Sequence, residues 1–466
     1  MTREEARALT EKERLARAKV PEEKAPAWHA AYRGKVETAL KCPVASVDDL
    51  GIWYTPGVAA PCREIRDDPE KVALYTNQAN AVAVVSDGSR VLGLGNIGPK
   101  ASLPVMEGKA LLFKYLGGVG AFPIVLDAKD PDEIVQAVKW IAPGFGGINL
   151  EDIESPKCFH VLDRLRAELD IPVWHDDQQG TAAVTLAAVL NGLLLAGKRL
   201  DEAEIALLGV GAAGTAVLRV LVKAGVPAGH VRAVDLVDGK PTLLHRGLDL
   251  ETLFSYRGEL LAATNGASLR GGSGEAIAGS DVLISFTRPG PGTLDVRWLS
   301  RMNGGAVALF LANPVPEVWP WEAREAGVRI VGTGRSDFPN QVNNSLGFPG
   351  IFRGALDVRA RTITDEMTIA AARAIAGTAQ TRGLTEETLL PTMLETEVFV
   401  NEAVAVGMEA VRQGIARRPV SEEDLRAEVA ERIRRAQAET EILMREGHIP
   451  PPPARDGREV AARRKR

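Results

Sequence analysis

EIALLGVGAAGTAVLRVLVKAG, residues 204–225, is the stretch from which the rest of the chain is read. EIALLGV is strand-like, whereas TAVLRVLVKAG has helical spacing and ends at Gly225. Between them Gly209-Val210-Gly211-Ala212-Ala213-Gly214 matches G-x-G-x-x-G. The pattern alone is weak, but between a strand and a helix it specifies a dinucleotide-binding turn. Gly209 permits the tight turn, Gly211 lets a pyrophosphate approach, and Gly214 allows close helix–strand packing. Ala212 and Ala213 open the helix whose free amides receive the phosphates. About twenty residues on, Asp235 lies near the end of VRAVDLV (231–237). A carboxylate there accepts the ribose hydroxyls of NAD and repels a 2′-phosphate. Asp238 rivals it, and Arg232 and Lys240 keep NADP open, so the reading is NAD preferred. The plain alternative is a glycine-rich turn followed by a solvated aspartate.

Further strand-like runs follow at VLISFT (282–287), AVALFLA (306–312) and VRIVGT (328–333). Upstream, AVAVVSD (81–87), FPIVLDA (122–128) and IPVWHDD (171–177) read as buried strands ending in polar residues, where open α/β sheets carry active-site groups. The expected fold is α/β: two α/β domains around a cleft, one a Rossmann-type doubly wound parallel sheet, with helical N- and C-terminal extensions. The expected divisions are a charged helical segment (1–26) and a first α/β domain (27–175). A dinucleotide-binding domain (176–343), a helical return segment packing on the first domain (344–447) and a disordered basic tail (448–466) follow. Within the return segment, Leu425, Val429 and Ile433 fall on one helical stripe.

The 466 residues suffice for two or three domains, and 45% hydrophobic with 25% charged residues is ordinary for a globular protein. A net charge of -5 gives no basic field, so nucleic acid is not an expected partner. Three scattered cysteines form no disulfide framework, which suits a reducing cytoplasm. The charged N-terminus lacks a signal-peptide core. The longest apolar run, 181–196, is too short to span a bilayer, so no membrane role is expected.

Two acidic pairs, Glu151-Asp152 and Asp176-Asp177, end neighbouring strand-like runs and would repel unless neutralised. Mg²⁺ or Mn²⁺ would neutralise them, as hard cations take carboxylate oxygens. Helix capping is the competing reading, strongest for Asp176, and spacing leaves both open. Lys109, in PVMEGKALLF (104–113), is either a solvated charge or a base whose pKa a dry cleft depresses. Tyr54, in GIWYTPG (51–57), is either turn packing or a proton donor. The six histidines form no ligand set, and no GxSxG marks a nucleophile.

Several segments together resemble the malic enzymes: YTPGVAAPCREI (54–65), SDGSRVLGLGNIGPKASLPVMEGKALLFK (86–114), INLEDI (148–153), HDDQQGTA (175–182), GVGAAG (209–214), LANPVPE (311–317) and TGRSDFPNQVNNSLGFPGIFRGALDVRA (333–360). The resemblance, to the short form without a phosphotransacetylase-like domain, implies oxidative decarboxylation of L-malate to pyruvate and CO₂. It makes Lys109 the base at the C2 hydroxyl, Tyr54 the acid that protonates C3 after decarboxylation, and Glu151, Asp152 and Asp177 the metal ligands. It also makes Arg90 a carboxylate clamp, and places Asn313 and Asn344 near nicotinamide and substrate and Thr181 near the cofactor. A homodimer is implied by resemblance alone. Gln179 departs from the histidine expected of bacterial relatives. Two other readings are a non-redox malolactic or oxaloacetate-decarboxylating lyase on the same site, and a catalytically silent ligand-binding regulator.

Overall fold

In the computed structural model, which describes residues 11–453, ten strands form two sheets. The first joins β1 (Ala81–Ser86), β2 (Gly120–Val125), β3 (Gly147–Leu150) and β4 (Val173–His175) in the order β2-β1-β3-β4, all parallel. The second has the order β10-β9-β8-β5-β6-β7: β5 (Ile205–Leu208), β6 (Val231–Val237), β7 (Lys240–Leu243), β8 (Val282–Ser285), β9 (Val307–Phe310) and β10 (Ile330–Thr333). All of its pairs are parallel except β6–β7. Every strand-like run expected from sequence forms a strand, and β1, β3, β5, β8, β9 and β10 are buried along their whole length. Continuous apolar runs of this kind suit parallel sheets covered on both faces. Strand β7 was not anticipated, although Asp238-Gly239 signals it: both residues have positive φ (51° and 74°), as a tight hairpin requires.

Counted from β5, the parallel strands run 2-1-3-4-5, a doubly wound order. The chain leaves β5 to one side for β6 and returns on the other as β8, so the switch point lies between β5 and β8. The first sheet reverses in the same way between β1 and β3. Ligands bind where strand carboxyl ends diverge at such points.

Helices α1 (Glu11–Tyr32), α2 (Val47–Trp53), α3 (Ala59–Asp67) and α4 (Val72–Tyr75) precede the first strand. Helix α1 runs on through Pro21 and Pro26 to Tyr32, past the end at residue 26 expected for the charged helical segment. The side chains around them are mostly exposed, so water can take the carbonyls that proline leaves without an N–H partner. Helices α5 (Gly98–Gly117), α6 (Pro131–Ile141) and α7 (Lys157–Glu168) cover the first sheet, α6 and α7 on one face through Ile134, Val138, Val161 and Leu165.

Helix α8 (Thr181–Ala196) leaves β4 through a π turn, Asp176–Gly180, and packs against α9 (Ala212–Ala224). With the π turn it spans 21 residues, longer than the apolar run suggests and sufficient in length and composition to cross a membrane. Most of it is buried inside the protein, in the core that joins the two halves. Helices α10 (Phe348–Asp357), α12 (Thr396–Arg412) and α13 (Glu422–Arg445) come back to α5 of the first half, while α11 (Asp365–Thr381) packs on α8, α9 and α12. Phe348 and Phe352 of α10 pack on Phe113 of α5 with centroids 4.6 and 5.2 Å away. Leu425, Val429 and Ile433 of α13 are fully buried, as their helical spacing implies. The first ten residues, expected to be helical, and residues 454–466 of the tail expected from 448 onward to be disordered, lie outside the described residues.

Candidate active site

The glycine loop follows β5 directly. Gly209 has φ +85°, and a Cβ there would come within 2.6 Å of the Phe286 carbonyl just past β8. A Cβ on Gly214 would run into the Gly209 carbonyl, whereas one on Gly211 would meet nothing within 4 Å. Two glycines are therefore required by packing, and the third leaves an open approach to the N-terminus of α9. Thr215 Oγ1 donates to the Val210 carbonyl at 2.9 Å and ties the loop to the helix. Asp235 stands one residue past the Val234–Leu208 pairing of β6 and β5, level with Gly209, whose N–H donates to the Val234 carbonyl at 2.8 Å. Its Oδ1 accepts from the Leu236 N–H at 2.8 Å, and its Oδ2 lies 3.7 Å from Arg257. Asp238 sits in the turn of the β6–β7 hairpin.

A second, differently built feature lies where β3 and β4 end. Glu151, Asp152 and Asp177 each present an oxygen within 4.8 Å of the other two. Asp152 holds φ +54°, a region sparsely used by non-glycine residues, and its N–H donates to Asp177 Oδ2 at 2.9 Å. Lys109, on the buried face of α5, sits 3.2 Å from Glu151 Oε1, pairs with Asp176, and lies 4.5 Å from the Phe348 ring centroid. Asp176 also accepts from the Trp174 indole at 3.2 Å, and Glu151 from Asn149 at 3.0 Å. The adjacent aspartates thus face different partners, Asp176 the lysine and Asp177 the carboxylates. The π turn sets that divergence.

Burial draws the Lys109 amine down, as a dry cleft should, but Asp176 and Glu151 outweigh it and hold the amine above its ordinary value. The expectation of a depressed lysine is therefore reversed by its neighbours. Burial also pushes Asp152 up to about 8 with help from Asp177, and raises Glu151 and Asp176 despite the opposing charge of Lys109. Acids and base shift in the same direction, which an isolated ion pair would not do. Burial is the largest cause for the carboxylates, and a charge excess adds to it: four carboxylates surround one ammonium, and the pocket favours any added positive charge. Asp152 Oδ2 is buried without a hydrogen-bond partner, and the candidate donors are all oxygen, the set a hard divalent cation takes.

Other residues surround this pocket. Arg90 is exposed, but its N–H donates to the Asp152 carbonyl at 3.0 Å. Asn313 follows β9 and is exposed, next to Pro314, whose ring would lie 2.7 Å from a Cβ on Gly93 of the first half. Asn344 packs on Gly180, where a Cβ would lie 3.3 Å from its own, and Thr181 opens α8 beside it. Tyr54 is not brought to Lys109: it caps α2 at 73% exposure, and its hydroxyl has no hydrogen-bond partner among the described residues.

Two groups were not picked out by sequence. His175 is fully buried with both ring nitrogens unpartnered, its Nδ1 3.7 Å from Asp177. Glu402 of α12 is fully buried with neither oxygen bonded, crowding Gly350 of α10 so closely that a Cβ there would strike it. Burial, then Asp176, raises it well above the usual carboxylate range. A Glu in an ordinary helix gives no such signal; only the packing of α12 on α10 creates it.

Both halves of the chain match known proteins. A family model described as malic enzyme, N-terminal domain, covers residues 33–166, and one described as malic enzyme, NAD binding domain, covers 178–235 and 328–411. An NAD-dependent malic enzyme of Geobacillus stearothermophilus is 49% identical over 83% of this chain and 78% of its own length. A bifunctional malic/malolactic enzyme of Bacillus subtilis is 45% identical over 87% of this chain and 96% of its own. The crystal structure of a malic enzyme from Pyrococcus horikoshii, 56% identical, superposes with a TM-score of 0.87 over 91% of this chain and 98% of that one. With both halves of the sequence matched and the doubly wound fold shared, the chain belongs to the malic enzyme family.

Proposed function

We propose that this protein oxidises L-malate at C2 and releases C4 as CO₂, giving pyruvate and passing the hydride to NAD, with Mg²⁺ or Mn²⁺ held by Glu151, Asp152 and Asp177. The observation that carries this reading is Lys109 set between Glu151 and Asp176 at the edge of the three-carboxylate cluster. Bound there, a divalent cation would supply positive charge that polarises the substrate's C2 oxygen and offsets the carboxylates that keep Lys109 protonated.

The chain's own groups divide the remaining work. Lys109 takes the C2 hydroxyl proton, held in position by Asp176 and by the face of Phe348. Trp174 fixes Asp176 in turn. Arg90 offers a planar fork to a substrate carboxylate at the exposed rim. Asn313 and Asn344 contact the nicotinamide and substrate from the second half, and Thr181 adjoins the cofactor. The Gly209–Gly214 loop and the α9 amides take the pyrophosphate. Tyr54 returns a proton to C3. Asp235, level with the loop, favours NAD over NADP by like-charge repulsion of a 2′-phosphate. The three cysteines are free thiols, which supports a cytoplasmic location.

A steady-state assay of L-malate with NAD and with NADP, with and without divalent metal, tests the reading. Absorbance of the reduced cofactor should appear only with metal, and faster with NAD. The relative named a malic/malolactic enzyme supports a second reading, non-redox conversion of malate to lactate. Lactate formed without net reduced cofactor would establish that instead, and no metal-dependent turnover of either kind would leave a binding protein.

A further inference from the structure

Between β7 and β8 the dinucleotide-binding half reaches across to the first turn of α7 with Tyr256 and Arg257. The Tyr256 ring stacks on Phe159, with centroids 6.1 Å apart and planes 25° apart. The Arg257 guanidinium lies 5.6 Å from the centroid of that same Phe159 ring and 5.0 Å from that of Phe254 in its own half. Its side chain is only 13% exposed, and its Nε has no hydrogen-bond partner. The two rings and Asp235, 3.7 Å away, therefore hold it. A cation over aromatic faces is bound more firmly in such a dry place than in open water. Beside this contact, a cavity of about 350 Å³ lies between Tyr256 and Asp132, Glu154, Lys157 and His160 of the first half. The stacked rings thus join the two halves at an edge that is otherwise open.

Phe159 is tied to the acidic pocket through its own chain. Helix α7 follows directly on the loop that carries Glu151 and Asp152. The Glu154 N–H donates to Ser89 at 2.9 Å, and its carbonyl accepts from the Cys158 N–H at 3.0 Å, so loop and first turn form one piece. Phe159 shares an apolar cluster with Leu150 and Ile153, and Ala212 at the start of α9 packs against that cluster. The Cys158 thiol senses both ends of the connection: burial and then Asp177 push it up to about 12, while Arg257 opposes them. Both features assigned to the cofactor, Asp235 and the α9 amides, therefore rest on the element that continues from two of the assigned metal ligands.

We infer that Tyr256 and Arg257 are positioning residues that make the cofactor and the metal bind cooperatively. NAD seated on Asp235 and the α9 amides fixes these two side chains, and they fix the turn that follows Glu151 and Asp152. The inference rests on the proposed cofactor and metal sites. Order created by the first ligand is not paid for again by the second, so each raises the affinity of the other by the same factor.

Titration calorimetry of the full chain tests this. Mn²⁺ is titrated with and without saturating NAD, and NAD with and without saturating Mn²⁺. The unaltered protein should bind each ligand roughly fivefold or more tightly in the presence of the other, the lower end of ordinary coupling. Tyr256→Ala and Arg257→Ala should bring both ratios close to one, with each ligand still binding alone. Tyr256→Phe, which keeps the stacked ring, should leave the ratios as they are. Ratios near one in the unaltered protein, or unchanged ratios in the alanine variants, would overturn the inference and leave the two sites standing. If Arg257→Ala weakens NAD by the same factor with and without Mn²⁺, Arg257 is a ribose-side contact only, which also overturns its part. Failure of Mn²⁺ or NAD to bind the unaltered protein at all would remove the proposed site itself, and the inference with it.

Discussion

The glycine loop after β5 and the acidic pocket after β3 and β4 occupy equivalent places, the carboxyl ends of parallel strands, but are made of opposite materials. The loop is backbone: φ +85° at Gly209, close approaches at Gly209 and Gly214, free amides at the start of α9. The pocket is side chains: four carboxylates and one ammonium brought from α5, β3 and β4, with Asp176 fully buried. A backbone site is specified by a few consecutive residues and tolerates no added volume. A side-chain site is assembled from distant residues and is sensitive to charge. The two should therefore fail in different ways.

The largest effect is expected at Lys109. Lys109→Ala should lower malate turnover by roughly 10²–10⁴-fold, the usual scale for a general base, and leave NAD affinity by titration calorimetry unchanged. Loss of NAD binding in that variant would mean that the two sites are not separable. The converse change is Gly214→Ala, which forces a Cβ into the Gly209 carbonyl. Overpacking of about 1–3 kcal/mol corresponds to roughly 5–150-fold weaker NAD binding. Metal affinity should not move, and wild-type NAD affinity would show the loop to be looser than its contacts imply.

Glu402 sharpens the electrostatic half of the contrast. Its folded-state pKa is raised by burial and by Asp176, so the folded chain holds its proton where the unfolded chain releases it. Stability is thus fully present at acid pH and lost as pH rises above the unfolded value, by roughly 1 kcal/mol per pH unit while the group stays protonated. Glu402→Gln removes that loss. Urea midpoints of the two proteins should coincide near pH 4 and separate by pH 7.5, with the variant more stable. Parallel curves would show Glu402 to be charged in the fold. The smallest effect belongs to Asp235→Ser, which should raise relative efficiency with NADP a few-fold, chiefly through KM. No change would leave Arg257, 3.7 Å away, as the better candidate for control of cofactor choice.

What could be read from sequence follows the same division. The glycine loop was legible because its residues are consecutive and its strand and helix adjoin it. Nine of the ten strands were legible as apolar runs, whereas β7, short and bearing Pro241, was hidden although Asp238-Gly239 announced its turn. The acidic pairs were visible as pairs, but not that Asp176 would hold Lys109 while Asp177 faced Asp152. That depends on a turn type that spacing does not reveal. Lys109 was visible, but the direction in which its neighbours move it was not, since charge balance requires all five groups in place. Exposure at Tyr54 could not be read at all: a tyrosine beside a Pro–Gly turn looks the same in sequence whether it packs the turn or faces solvent.

The π turn at Asp176–Gly180 carries a consequence for length rather than chemistry. A π turn holds one residue more than an α turn, and each helical residue advances the chain by about 100°. Deleting one residue there forces a choice. Either α8 rotates by that angle and a buried face of the core turns outward, or α8 stays and Asp176 and Asp177 swing away from their partners. The stretch should therefore accept an exchange for a side chain of similar size more readily than the loss of a single residue. Among homologous chains, its spacing would then be held more strictly than its lettering.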